Sequence, residues 1–98
     1  MPVLTTQQVR RRLLGVPNWS QRAQSISRTF KFEGFLQSME FVNRIAKKAQ
    51  TMDHHPDIEI RYSKVTLKLT THAAGGLTGK DFRLARQCDE VYSSSFSS

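Results

Sequence analysis

Three histidines, His54, His55 and His72, fall within a stretch of 19 residues, and two of them are adjacent. Imidazole has an unperturbed pKa of about 6.5, so at neutral pH one ring can donate a proton while another accepts one. Such a set suits the elimination of water. A carboxylate follows at Asp81. Thr78-Gly79-Lys80-Asp81 has the spacing of a capping box, in which Asp81 satisfies a helix-terminal N–H. At about 100° per residue, however, Asp81 stands over Ala85, Cys88 and Tyr92 on the inward helix face, where an unpaired carboxylate is costly. It needs a partner, and His72 or a bound ligand is at hand.

Spacing alone leaves a structural role for the histidines open, as helix caps and partners of sheet-edge carbonyls. Three imidazoles and a carboxylate are also donors for zinc or iron. Against a metal, adjacent side chains such as His54 and His55 usually diverge, and no H-x-H, H-E-x-x-H or H-x-x-x-H spacing is present. No metal is expected. Gly75-Gly76 lacks the further glycines and the lysine of a phosphate loop.

The elements that must position these groups follow from periodicity. Thr5 or Thr6 caps a short helix through Leu14 with Val9 and Leu13 on one face, stopped by Gly15 and Pro17. Trp19 to Phe32 reads as two strands with a break near Gln21–Ser25, because Ile26, Arg28, Phe30 and Phe32 alternate. A core helix covers residues 35–51, its stripe formed by Phe35, Met39, Val42, Ala46 and Ala49 and widened by Phe41 and Ile45. Glu40, Asn43, Arg44 and Lys47 occupy the opposite face. Pro56 forbids a continuing helix and pushes His55 towards an extended conformation. Ile58, Ile60 and Tyr62, then Val65, Leu67 and Leu69, form the apolar faces of two strands joined by a tight turn at Ser63-Lys64. A last helix spans roughly Thr78 to Tyr92, with Leu84, Ala85, Cys88 and Tyr92 inward. The order is that of an α+β fold: a four-stranded antiparallel sheet with about three helices packed on one face. In such a fold the Asp53-His54-His55-Pro56 corner and His72 can share a cleft.

With 98 residues the chain has room for one domain spanning 1–98, with 1–4 and the serine-rich 93–98 frayed. No apolar run approaches the roughly 18 residues of a membrane span. The lone Cys88 offers no internal disulfide and no secretory signal pattern is present, so a cytoplasmic location is expected. A domain this small gains buried area from a second subunit, and an oligomer is expected. The net charge of +7 is uneven: Arg10, Arg11, Arg12, Arg22, Arg28 and Lys31 precede the first acidic residue, Glu33, and the rest is nearly balanced. That composition resembles an organellar transit peptide, but Trp19, Ile26, Phe30 and Phe32 read as core residues the fold could hardly spare. Without a nucleic-acid motif, the charge reads as a solvated face, and nucleic acid is not an expected partner.

Asp53-His54-His55-Pro56, Tyr62-Ser63-Lys64-Val65, Thr71-His72 and Leu77-Thr78-x-x-Asp81-Phe82, together with Trp19, Phe30-x-Phe32 and Met39-Glu40-Phe41-Val42-Asn43, resemble the signature of the pterin-4a-carbinolamine dehydratases. The resemblance runs from about Trp19 to Tyr92. It implies an enzyme, dimeric or tetrameric, that removes water from the 4a-hydroxytetrahydropterin left by aromatic amino acid hydroxylases, without cofactor or metal. By the same resemblance His54 and His72 flank the pterin as acid and base, and His55 orients it. Asp81 holds His72 or its neighbour in a productive tautomer. Asp53, Pro56 and Thr71 would line the substrate site, with Gln50 one turn before His54. Family members often have an acidic residue where Gln50 stands; Gln50 can hydrogen-bond but brings no charge, which bears on the tuning of His54. Many have Trp at the position of Ile58, a matter of packing. Relatives that serve as dimerisation or assembly cofactors make a non-catalytic binding module the alternative.

Overall fold

The computed structural model describes residues 2–96. Helix α1 (Thr6–Leu13) leads to strands β1 (Ser20–Arg22) and β2 (Ser25–Lys31), helix α2 (Phe35–Met52), strands β3 (Asp57–Arg61) and β4 (Lys64–Leu69), a 3-10 turn at His72–Ala74, and helix α3 (Gly79–Ser95). All strands pair antiparallel in the order β1-β2-β4-β3. The register sets Ile26 against Leu69 and Phe30 against Val65, so that these residues and Leu67 line one buried face. Ser27, Thr29, Thr66 and Lys68 lie on the other, where the hydroxyls of Thr29 and Thr66 pair at 2.8 Å. The expected α+β layout is therefore observed.

The core is aromatic at one end. Phe30 and Phe32 of the β2 segment meet Phe41 of α2 at centroid distances of 4.8 and 5.0 Å, and Tyr92 and Phe96 close over them. Tilted and edge-on rings of this kind add modestly to the area they bury. The serines at 93–95, read from the sequence as a frayed tail, form the last turn of α3, and Phe96 caps it against Phe32 and Phe41. Ser97 and Ser98 lie outside the described residues, as does Met1. Near the amino terminus, the Leu4 N–H donates to the Leu77 carbonyl at 2.8 Å and Leu4 packs on the core.

Two sequence expectations need correction. The buried side of α2 is Ser38, Phe41, Ile45 and Ala49, while Phe35 and Ala46, assigned to the core stripe, are exposed. The reason is Ser38, fully buried because its hydroxyl donates to the Tyr62 carbonyl at 2.8 Å. A satisfied hydroxyl can occupy a core position that a hydropathy pattern assigns to carbon. The β3–β4 turn is Tyr62-Ser63, one residue earlier than expected, with Tyr62 in the left-handed region at φ 52° and Lys64 already in β4. Tyr62 therefore points to solvent instead of extending the apolar face of β3.

Candidate functional site

The corner after α2 is made by Asp53, not by Pro56. Asp53 adopts a left-handed conformation at φ 52°; its N–H donates to the Gln50 carbonyl at 3.2 Å and that of His54 to the Ala49 carbonyl at 3.0 Å. This paired closure is the Schellman arrangement, with aspartate where glycine is commonest. It folds the chain back over the helix end and turns His54 inward, where its side chain is 8% exposed.

There His54 meets Asp81. Its Nε2 lies 2.6 Å from Asp81 Oδ1, and Asp81 is wholly buried. The other carboxylate oxygen accepts from the Thr71 hydroxyl at 2.8 Å and from the Thr78 N–H at 2.9 Å. Since the single hydroxyl proton of Thr71 goes to Asp81, the 2.8 Å contact between the two threonine hydroxyls has Thr78 as donor. The Thr78 oxygen in turn accepts from the Lys80 N–H at 3.3 Å. Asp81 is thus both the capping-box residue of α3 and the anchor of His54, the two roles that the sequence held in parallel. Its partner is His54, not the His72 that the order of elements predicts.

The geometry sets a tautomer. With three donors converging on one carboxylate, the proton of a neutral His54 ring belongs on Nε2, which leaves Nδ1 as the acceptor. Nδ1 has no protein partner, yet no buried side-chain nitrogen or oxygen among the described residues is unsatisfied. Nδ1 therefore sits on the slightly exposed edge of the ring. A base oriented by a buried carboxylate, with its free nitrogen facing outward, is an arrangement able to take up a proton.

His72 opens the 3-10 turn directly after Thr71, so the backbone carrying it is tied to the same carboxylate. Gly75 closes that turn at φ 77°, a conformation a side chain would strain, and donates to the carbonyls of Thr71 and His72. The exposed His72 lines a concavity of about 820 Å³ together with Gln21, Gln24, Lys68 and Thr70. Neither His54 nor His55 is among its walls. His55 points away to solvent, where its Nε2 lies 3.0 Å from Gln50 Oε1. Gln50 thus addresses His55, and the charge it lacks does not bear directly on His54, which has Asp81. Asp53 is exposed and Pro56 half-buried.

Thr71, a candidate substrate-site residue, turns its hydroxyl to Asp81. The sequence marks Thr78 as a cap, and nothing local marks its fully buried hydroxyl as a link in the chain to His54. Among the described residues no three His, Cys, Asp or Glu side chains gather as a metal-ligand set.

The profile of the family described as pterin 4 alpha carbinolamine dehydratase matches residues 2–91. This chain belongs to that family. A relative from Picosynechococcus, provisionally named a pterin-4-alpha-carbinolamine dehydratase, is 49% identical over 88 residues, 90% of this chain and 96% of its own. A similarly named protein of Acidobacterium capsulatum is 48% identical over 91 residues, 93% of this chain and 99% of the relative. Among solved structures, a transcriptional coactivator/pterin dehydratase of Brucella melitensis superposes with a TM-score of 0.87 at 30% identity, over 91% of this chain and 97% of that one. A pterin dehydratase-like protein described as a RuBisCO assembly factor of the alpha-carboxysome shares the fold, with a TM-score of 0.66 at 21% identity over 80% of this chain and 93% of its own.

Proposed function

We propose that this chain removes water from 4a-hydroxytetrahydropterin to give quinonoid dihydropterin, in the recycling of a tetrahydropterin cofactor. The observation that carries the reading is the buried His54–Asp81 pair with Nδ1 of His54 left free. Hydroxide leaves poorly until it is protonated. In the proposed step His72, open to solvent, donates a proton to the 4a-hydroxyl. The lone pair of the neighbouring ring nitrogen forms a C=N bond as the C–O bond breaks. His54 Nδ1 takes the proton from that nitrogen, and water carries the net proton back to His72. Asp81 keeps His54 in the accepting tautomer and stabilises the imidazolium that forms. His55, held by Gln50, would bind and orient the ring; Asp53 makes the corner that presents His54 and His55, Pro56 would line the substrate site beside them, and Thr71 contributes through Asp81.

Turnover of chemically generated 4a-hydroxytetrahydropterin is the test. It is expected to persist in a metal chelator and to collapse in the His54→Ala/His72→Ala double variant. Folded wild-type protein no faster than buffer would overturn the reading. The same reading places the chain in the cytoplasm as a homodimer or homotetramer that serves an aromatic amino acid hydroxylase. A second reading, a partner-binding module, draws on Phe35 and Leu36 of α2, which are 48% and 83% exposed; for that role alone, wild-type function would survive loss of both histidines.

A further inference from the structure

The basic stretch Arg10-Arg11-Arg12 has no part in the chemistry above, and the structure gives two of its arginines a common destination. Arg11 and Arg12 from the last turn of α1 converge with Arg83 and Arg86 of α3 around a cavity of about 370 Å³. On α3 the contributing positions are Gly79, Phe82, Arg83 and Arg86, spaced i, i+3, i+4 and i+7, and so form one face of the helix. Asp81 lies off that face, turned towards His54. The cavity is therefore separate from the His54 pair.

Two guanidinium groups are seated against glycines. A Cβ added to Gly15 would lie 3.2 Å from Arg86 Nη2, and one added to Gly79 would lie 3.4 Å from Arg12 Nη1. No acidic residue lines the cavity, and among the described residues none of the four arginines takes part in an ion pair. The dipole of α1 accounts for basic residues in its last turn but not for Arg83 and Arg86 facing the same space. Buried Val16 and Phe82 give the cavity an apolar floor. Its volume falls in the range of small-molecule sites and its concavity is unlike the extended charged track that nucleic acid requires.

We propose that this cavity binds a small anion carrying two or more phosphate groups, such as a nucleoside diphosphate or triphosphate, gripped by the four guanidinium forks. Calorimetric titration of the full chain with tripolyphosphate and with ADP tests it. The expected result is saturable binding with one site per chain, weakened at least about tenfold in Arg11→Gln/Arg86→Gln and in Arg12→Gln/Arg83→Gln. The control Arg10→Gln/Lys31→Gln removes equal charge outside the cavity and should stay within about twofold of wild type. Circular dichroism establishes that each variant is folded, and turnover of the hydroxypterin, expected to be unchanged, separates this site from the proposed reaction. The inference is overturned by absence of binding at millimolar ligand, or by equal weakening in the control. Tighter, salt-dependent binding of a duplex oligonucleotide that all three variants lose alike would also overturn it, since the basic surface would then act as a diffuse nucleic-acid patch.

Discussion

Replacing Asp81 separates its structural from its chemical role, because alanine and asparagine disturb different things. Its carboxylate accepts from His54, from the Thr71 hydroxyl and from the Thr78 N–H, in a position with no solvent exposure. Asp81→Ala leaves all three donors unmet. Each buried group without a partner costs about 1–3 kcal/mol before relaxation, so a net loss of about 3–5 kcal/mol is expected. That is a large share of the roughly 5–15 kcal/mol available to a domain of this size. Asp81→Asn keeps the shape. Its amide oxygen can still accept from the two threonines, while its NH₂ faces Nε2 of His54. That nitrogen must then accept, so the ring proton moves to Nδ1. Stability should fall by only about 1 kcal/mol, whereas turnover should drop about 10²–10⁴-fold because the nitrogen assigned as base is now protonated. Urea unfolding reads the first quantity, hydroxypterin turnover the second, and ¹⁵N imidazole shifts report the tautomer directly. An asparagine variant that holds the Nδ1–H tautomer yet turns over at the wild-type rate would refute the assignment of His54 as base. An alanine variant that unfolds within about 1 kcal/mol of wild type would refute the energetic argument.

Two further outcomes are expected. Burial, with the charge of Asp89 adding to it, pushes the Cys88 thiol up from 9.0 to about 12; the native protein should resist a disulfide reagent at pH 8 and react once unfolded in guanidinium. Because the unfolded thiol loses its proton first, the stability that Cys88 contributes is whole below pH 9 and is lost as pH rises towards 12, which urea unfolding against pH will trace. Tyr62→Gly relieves a left-handed residue whose ring is 70% exposed. The urea midpoint should rise by the equivalent of up to about 1 kcal/mol, and a loss of that size would show that the ring makes contacts worth more than its backbone strain.

The elements were legible because their patterns are local. Alternation in β2 and β4 and the capping-box spacing at Thr78 place these elements without knowledge of the rest of the chain. The face of α2 was not, because Ser38 is buried through a carbonyl 24 residues away and composition gives no sign of that bond. The site divides in the same way. That Asp81 points inward and needs a partner follows from helical phase. That the partner is His54 depends on a left-handed Asp53 reversing the chain at the end of α2, and no sequence rule favours aspartate over glycine there. The interior role of Phe96 was hidden by its serine neighbours, since a single aromatic in a polar tail has no period to reveal it.

Trp19 is the chain's one tryptophan. Its indole N–H donates at 2.8 Å to Asp89 Oδ1, the oxygen that also receives Arg28 at 2.6 Å, and its ring meets Phe30 edge-on at 6.1 Å. The molecule therefore contains its own optical reporter. Emission from a 4% exposed indole fastened to α3 through one carboxylate oxygen will be blue-shifted in the native state. It will move to the red when α3 lifts from the sheet, even if the strands stay paired. Followed beside circular dichroism, that signal tells undocking of the helix that carries Asp81 from global unfolding, with no label attached.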